Sequence, residues 1–290
     1  MNLRTLFVSC GFALVSAAAA HGQIAATLSI AKTQYVAGES VQATVTITNH
    51  SGQEAVFVGS DRQPWLDFVI KRTGSEPAIP YGRFNFGAIR IPVGQSMARQ
   101  VNLSSAFNLT EIGNYSVYAL IRMPDQTSEG TASNRVLFNV SNGRAYWSQK
   151  VGVRGDATKV REYRVLNYSG DQKTQLYVQV VNDRTGTPIR TYPLGDALMF
   201  RKPQITVAGN QNLHVFFLST PTLWTHCEID TEGKLVNSEF HRRGATGDPV
   251  LMTQPNGVVA VGNSIPYDPK AEEMEKSRAR KISERPVITQ

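Results

Sequence analysis

The chain has 290 residues, 41% of them hydrophobic, and a formal charge of +7 at pH 7. That size suffices to bury two cores of ordinary extent, and its basic residues are scattered, which argues against the one-sided basic face of a nucleic-acid binder. With only Cys10 and Cys227 present, and Cys10 inside a leader-like segment, folding must rest on apolar burial and not on a disulfide framework.

Residues 1–22 have the layout of a secretory signal: Arg4, a short apolar run over 6–15, then small residues over 17–20. The run is too short to span a bilayer, and no later stretch approaches ~20 apolar residues. The expectation is a secreted or periplasmic protein with no transmembrane segment.

Residues 24–141 have the pattern of an all-β domain. Val41, Ala43, Val45 and Ile47 alternate with Gln42, Thr44, Thr46 and Thr48, the signature of a strand with one dry and one wet face. Leu66, Phe68 and Ile70 repeat it, as do Val136, Phe138 and Val140, with turn chemistry at 49–52, 71–74 and 92–95. The segment Leu109-Thr-Glu-Ile-Gly-Asn-Tyr115 resembles the tyrosine corner of Greek-key sandwiches, where a Tyr hydroxyl bonds backbone a few residues upstream. With Tyr35-Val-Ala-Gly-Glu-Ser-Val it resembles a bacterial immunoglobulin-like domain, and more loosely the BsuPI-type proteinase-inhibitor domain. The resemblance implies a β-sandwich and carries no catalytic residue.

From 145 to 265 a repeat emerges. Leu176, Tyr177, Asp183 and Gly186 match Leu223, Trp224, Asp230 and Gly233 at a spacing of 47, and Pro203 and Val215 match Pro249 and Val261 at 46. One unit reads as four strands, over 203–208, 213–218, 223–229 and 235–241, with 146–194 a degenerate unit and 249–263 half of another. The hairpin Asp230-Thr-Glu-Gly-Lys resembles the turns of β-propeller blades. Two and a half units are too few for a closed propeller, which needs four to eight, so either an open stack of blade-like repeats or a second sandwich is expected. Residues 266–290 are charged, with a favourable Glu272–Lys276 spacing, and read as a disordered tail or a lone helix.

Nucleophile elbows, metalloprotease helices, phosphate loops and dinucleotide fingerprints are all missing from the sequence, which leans away from an enzyme. The candidate ligand-binding residues are Trp224, His226, Glu228 and Tyr177. His226 and Glu228 stand ~6.6 Å apart on one strand face, and with His214 or His241 from next door they have metal-ligand chemistry. That ligand set does not recur in the repeat, where Gln179 stands for His226, so no metal and no cofactor is expected. Cys227 points the other way and reads as a small buried hydrophobe. Trp65, Trp147 and Trp224 read either as core or as a stacking surface, with Trp224 expected half-exposed beside His226.

The expected function is non-catalytic binding to a protein or polysaccharide of the cell envelope. The alternatives are an extracellular carbohydrate-active hydrolase or its accessory domain, and a protease inhibitor working through the loop 77–82.

Overall fold

A computed structural model describes residues 24–60, 63–123, 130–170 and 173–283; the signal-like leader 1–22 lies outside the described residues. The first ten strands are β1 (Ile24–Ile30), β2 (Gln34–Val36), β3 (Gln42–Asn49), β4 (Ala55–Phe57), β5 (Leu66–Arg72), β6 (Ile89–Ile91), β7 (Ser96–Asn102), β8 (Gly113–Ile121), β9 (Thr131–Ala132) and β10 (Val136–Ser141). There follow β11 (Arg144–Val153), β12 (Asp156–Ser169), β13 (Thr174–Asn182), β14 (Pro188–Asp196), β15 (Gln204–Val207) and β16 (Leu213–Thr220). The last are β17 (Leu223–Ile229), β18 (Leu235–Arg243), β19 (Val250–Thr253), β20 (Val259–Gly262), β21 (Ser264–Tyr267) and the helix α1 (Pro269–Ser283). The fold is all-β, built from several small, mainly antiparallel sheets.

Alternation in the sequence becomes burial in the sheet. In β3 the residues Ala43, Val45 and Ile47 are buried, and so are Leu66, Phe68 and Ile70 in β5. Strands β1, β3 and β7 make one sheet; β2, β10, β8 and β5 make another, with β9 beside β8. One apolar cluster joins the two, from Val45 and Ile47 on one side to Tyr115, Val117 and Phe138 on the other. The Tyr115 hydroxyl donates to the Glu111 carbonyl at 2.7 Å, the bond its sequence setting predicts, and its ring stacks on Phe138.

The later strands form two meanders in chain order, β11-β12-β13-β14 and β15-β16-β17-β18, the second extended by β21. Each is blade-like in strand count and hairpin order. Their facing surfaces share a core of Tyr163, Val165, Val178 and Val180 against Leu213, Val215, Phe217, Cys227 and Ile229. The 47-residue repeat is structural: β13 and β17 are both the third strand of their sheets, and each leads into a glycine turn. The half unit at 249–263 is the two-stranded hairpin β19-β20, which lays Leu251 and Val261 against Phe216, Leu218 and Trp224. Val36 packs on Leu166 and Tyr177, linking the N-terminal sheets to the outer face of the β11–β14 sheet. Each sheet thus packs on the next in succession, a propeller-like arrangement.

Residues 266 and 267, expected in the tail, belong to β21 and pair with β18. The helix then starts where its sequence dictates. Asp268 accepts the Lys270 N–H at 2.9 Å as N-cap, and proline occupies the first helical position. Glu272 holds both Lys276 and Arg242 at 2.7 Å, so the helix start is tied to β18. Among the described residues no helix is long and apolar enough to cross a membrane.

Candidate functional site

The sheet of β15–β18 has two unlike faces. Leu213, Val215 and Phe217 with Thr225, Cys227 and Ile229 turn toward the shared core; the residues between them, His214, Phe216, Trp224, His226 and Glu228, turn the other way. Register then gathers the histidines. His226 on β17 lies opposite Phe216 on β16 and Glu239 on β18, while His214 and His241 sit at its diagonals. All three imidazoles are buried.

His214 Nδ1 and His226 Nε2 are 3.0 Å apart with their rings stacked at 5.2 Å, so one of the two nitrogens carries a proton and donates to the other. The edge of Phe216 closes over both His226 and His241. His241 Nδ1 lies 3.2 Å from Ser264 Oγ on β21. The Glu239 carboxylate stands 3.9 Å from His226 Nδ1 and 3.7 Å from His241 Nε2. Burial, with His214 adding to it, pushes His226 down to about 4; burial also lowers His214 and His241. The trio is therefore neutral at pH 7 and presents lone pairs. Two of its nitrogens, His214 Nε2 and His241 Nε2, are buried without a hydrogen-bond partner.

The expected site residues are placed unequally. His226 is at the centre of the cluster. Glu228 accepts from Asn212 Nδ2 at 2.6 Å and stands 3.8 Å from His214 Nε2, so it supports His214 rather than sharing a ligand with His226. Trp224, expected half-exposed, is only 4% exposed and packs under the β19-β20 hairpin. Tyr177 is fully buried; its hydroxyl accepts from Lys32 Nζ at 2.9 Å, far from the histidines in role. Trp65 is also buried, donating to the Gly87 carbonyl, and Trp147 packs partly buried on the second core. The residue that sequence reasoning missed is Glu239. Its signal was the Glu-x-His alternation of Glu239 and His241 on a strand pairing with His226.

Beside the cluster a cleft of about 680 Å³ opens between β18, β21 and the start of α1, lined by Glu239, Phe240, His241, Tyr267 and Lys270 among others. Its origin is a mismatch of strand lengths. β17 pairs with β18 over 235–241, but β21 covers the other edge of β18 only over 240–243. The outer edge of 235–239 has no partner strand among the described residues, and Leu235 and Val236 there are exposed.

No family model matches the chain, and no curated protein matches it.

Proposed function

We propose that the protein is an exported, non-catalytic binding protein of the cell envelope or extracellular space. In this reading an immunoglobulin-like unit over 24–141 carries a repeat-built β unit over 145–265, and the open edge of β18 receives an extended segment of a partner protein. The observation that carries it is the uncovered run 235–239 beside the cleft. Unpaired backbone N–H and C=O groups at a sheet edge are obligatory hydrogen-bonding groups, and an added strand satisfies them. Exposed Leu235 and Val236 offer apolar anchorage, while Glu239, Asp268 and Lys270 provide charge selection. The signal-like residues 1–22 supply the export half of the proposal.

The test is amide exchange on the mature protein with a panel of unstructured peptides, and with soluble envelope polysaccharides alongside. Peptide binding that slows exchange along 235–239 supports the reading. Binders that leave those amides untouched, or polysaccharide binding or cleavage at the Glu239 and Asp268 carboxylates, refute it in favour of the carbohydrate alternative.

A second reading has its own observation. In the loop 77–82, Ile79 is 88% exposed and Tyr81 68% exposed, the posture of an inhibitory loop. Inhibition of a broad-specificity serine or cysteine protease, abolished by Ile79→Asp, is its signature; no inhibition across such a panel removes it.

A further inference from the structure

We propose that His226, His241 and Glu239 bind a zinc ion, with His214 as the residue that positions His226. The inference stands on the histidine cluster and holds whether or not the neighbouring edge captures a peptide.

Three observations converge. The first is geometry: one ligand atom from each of His226, Glu239 and His241 lies within 4.8 Å of the other two. With the carboxylate oxygen at 3.9 Å from His226 Nδ1 and 3.7 Å from His241 Nε2, side-chain adjustment alone separates this triangle from bonding distance. The centre of such a triangle is no more than roughly 2.5 Å from each corner, against ~2.0–2.2 Å for zinc bonds to imidazole nitrogen and carboxylate oxygen.

The second is an unmet valence. His241 is 5% exposed, and its Nε2 is buried without a hydrogen-bond partner on the side facing Glu239. A buried polar atom left without a partner is costly, and such orphans call for an occupant. A cation satisfies this nitrogen and compensates the Glu239 carboxylate at once.

The third is the outer arrangement, which accommodates the tautomers that a metal requires. His226 Nε2–H donating to His214 Nδ1 leaves the His226 Nδ1 lone pair pointing at Glu239. His241 Nδ1–H donating to Ser264 Oγ leaves the Nε2 lone pair pointing at the same place. Metal-binding histidines commonly donate their second N–H to such a partner, which sets ring orientation.

The donor set selects the metal class. Two imidazoles and one carboxylate suit zinc over the oxygen-seeking calcium and magnesium. Three protein ligands leave a fourth position, as in zinc sites that keep a water or a ligand atom. Glu239 and His241 both line the cleft, so that position opens toward it. Glu239 is 52% exposed along its side chain and provides the entry path.

The experiment uses untagged mature protein, stripped with a chelator and titrated with zinc chloride. Metal analysis and calorimetry should give one zinc per chain. Glu239→Gln, at an exposed position and so harmless to folding, should weaken binding by at least about 10-fold, and His241→Gln by about 100-fold or more; His214→Gln, which leaves all three ligands in place, should weaken it by about 10–100-fold. Nitrogen-15 correlation spectra of the imidazoles give a readout independent of affinity. Zinc should move His226 Nδ1 and His241 Nε2 while His226 Nε2 keeps its proton. Failure to take up zinc overturns the proposal. So does uptake that Glu239→Gln and His241→Gln leave unchanged, or that moves the ring nitrogens of His50 instead.

Discussion

At the scale of single residues, one sheet produces opposite chemistry on its two faces. Cys227 faces the shared core, where burial pushes its thiol up to about 11, and its Sγ lies 3.9 Å from Ser238 Oγ. In native protein Cys227 should therefore resist iodoacetamide at pH 8, while in denatured protein it reacts at once; rapid native labelling at Cys227, read by peptide mapping, would contradict this placement. The histidines behave differently in the metal-free protein. Their pKa values lie below the unfolded value of about 6.5, lowered by burial, while Glu228 and Glu239 pull the other way. The unfolded chain then binds protons more readily, so stability is complete above about pH 6.5 and is lost as pH falls toward 4. His226 alone accounts for on the order of 3 kcal/mol across that window. Urea melts of chelator-treated protein at pH 7 and pH 4.5 check it, and His226→Gln should flatten the dependence. The face on which His226 stands was legible in the sequence, because Trp224, His226 and Glu228 alternate with Thr225, Cys227 and Ile229. The place of Glu239 was not, because a partner on the adjacent strand depends on register, which the hairpin turns set and composition does not reveal.

Among the elements, the strands were legible and their couplings were not. Alternation marked β3, β5 and β10, and continuous apolar runs marked β16 as buried on both faces. The repeat found the matching third strands β13 and β17, although their turns differ in detail. Asp230 Oδ1 accepts the Glu232 N–H, whereas in the other turn Asn182, one position before the aligned Asp183, takes that role for Arg184. Both turns use glycine at positive φ, 69° at Gly186 and 76° at Gly233. A Cβ at Gly186 meets nothing, while at Gly233 it comes to 3.0 Å from Arg190 Cβ. Gly186→Ala should cost about 1–2 kcal/mol from backbone strain alone, and Gly233→Ala visibly more, in paired urea melts. Equal losses would mean that the contact with β14 yields freely. Tyr115→Phe removes the bond to Glu111 and should cost about 1 kcal/mol in the same assay.

For the whole molecule, the junction between the N-terminal sheets and the β11–β14 sheet is polar as well as apolar. Lys32 Nζ reaches Glu39 Oε1 at 2.6 Å and the Tyr177 hydroxyl at 2.9 Å, and Gln179 Nε2 donates to the Ala37 carbonyl and to Thr191. Burial draws the Lys32 pKa down, but its bonds to Glu39 and Tyr177 outweigh that and hold it above the usual value. Lys32→Met strands a buried carboxylate and should cost about 3–5 kcal/mol, with Lys32→Met/Glu39→Gln recovering much of the loss. A single variant within 1 kcal/mol of the parent would show that the junction rests on Val36, Leu166 and Tyr177 instead. The contact was not readable beforehand: Glu39 lies in the segment that resembles an immunoglobulin-like domain and Tyr177 in the repeat, but they meet Lys32 only through tertiary packing. Tyr177 thus changes from candidate ligand platform to part of the joint.

The mismatch between β18 and its short neighbour β21 reaches beyond any single partner. A strand edge with no partner strand among the described residues is indifferent to whose chain completes it, so one molecule's margin is a template for its twin. Crowding this protein should favour edge-to-edge pairing along that margin. Pairing the open run 235–239 with its own copy centres on Asn237 and sets each Glu239 across from the twin's Leu235, so the two carboxylates stand at opposite ends of the joint.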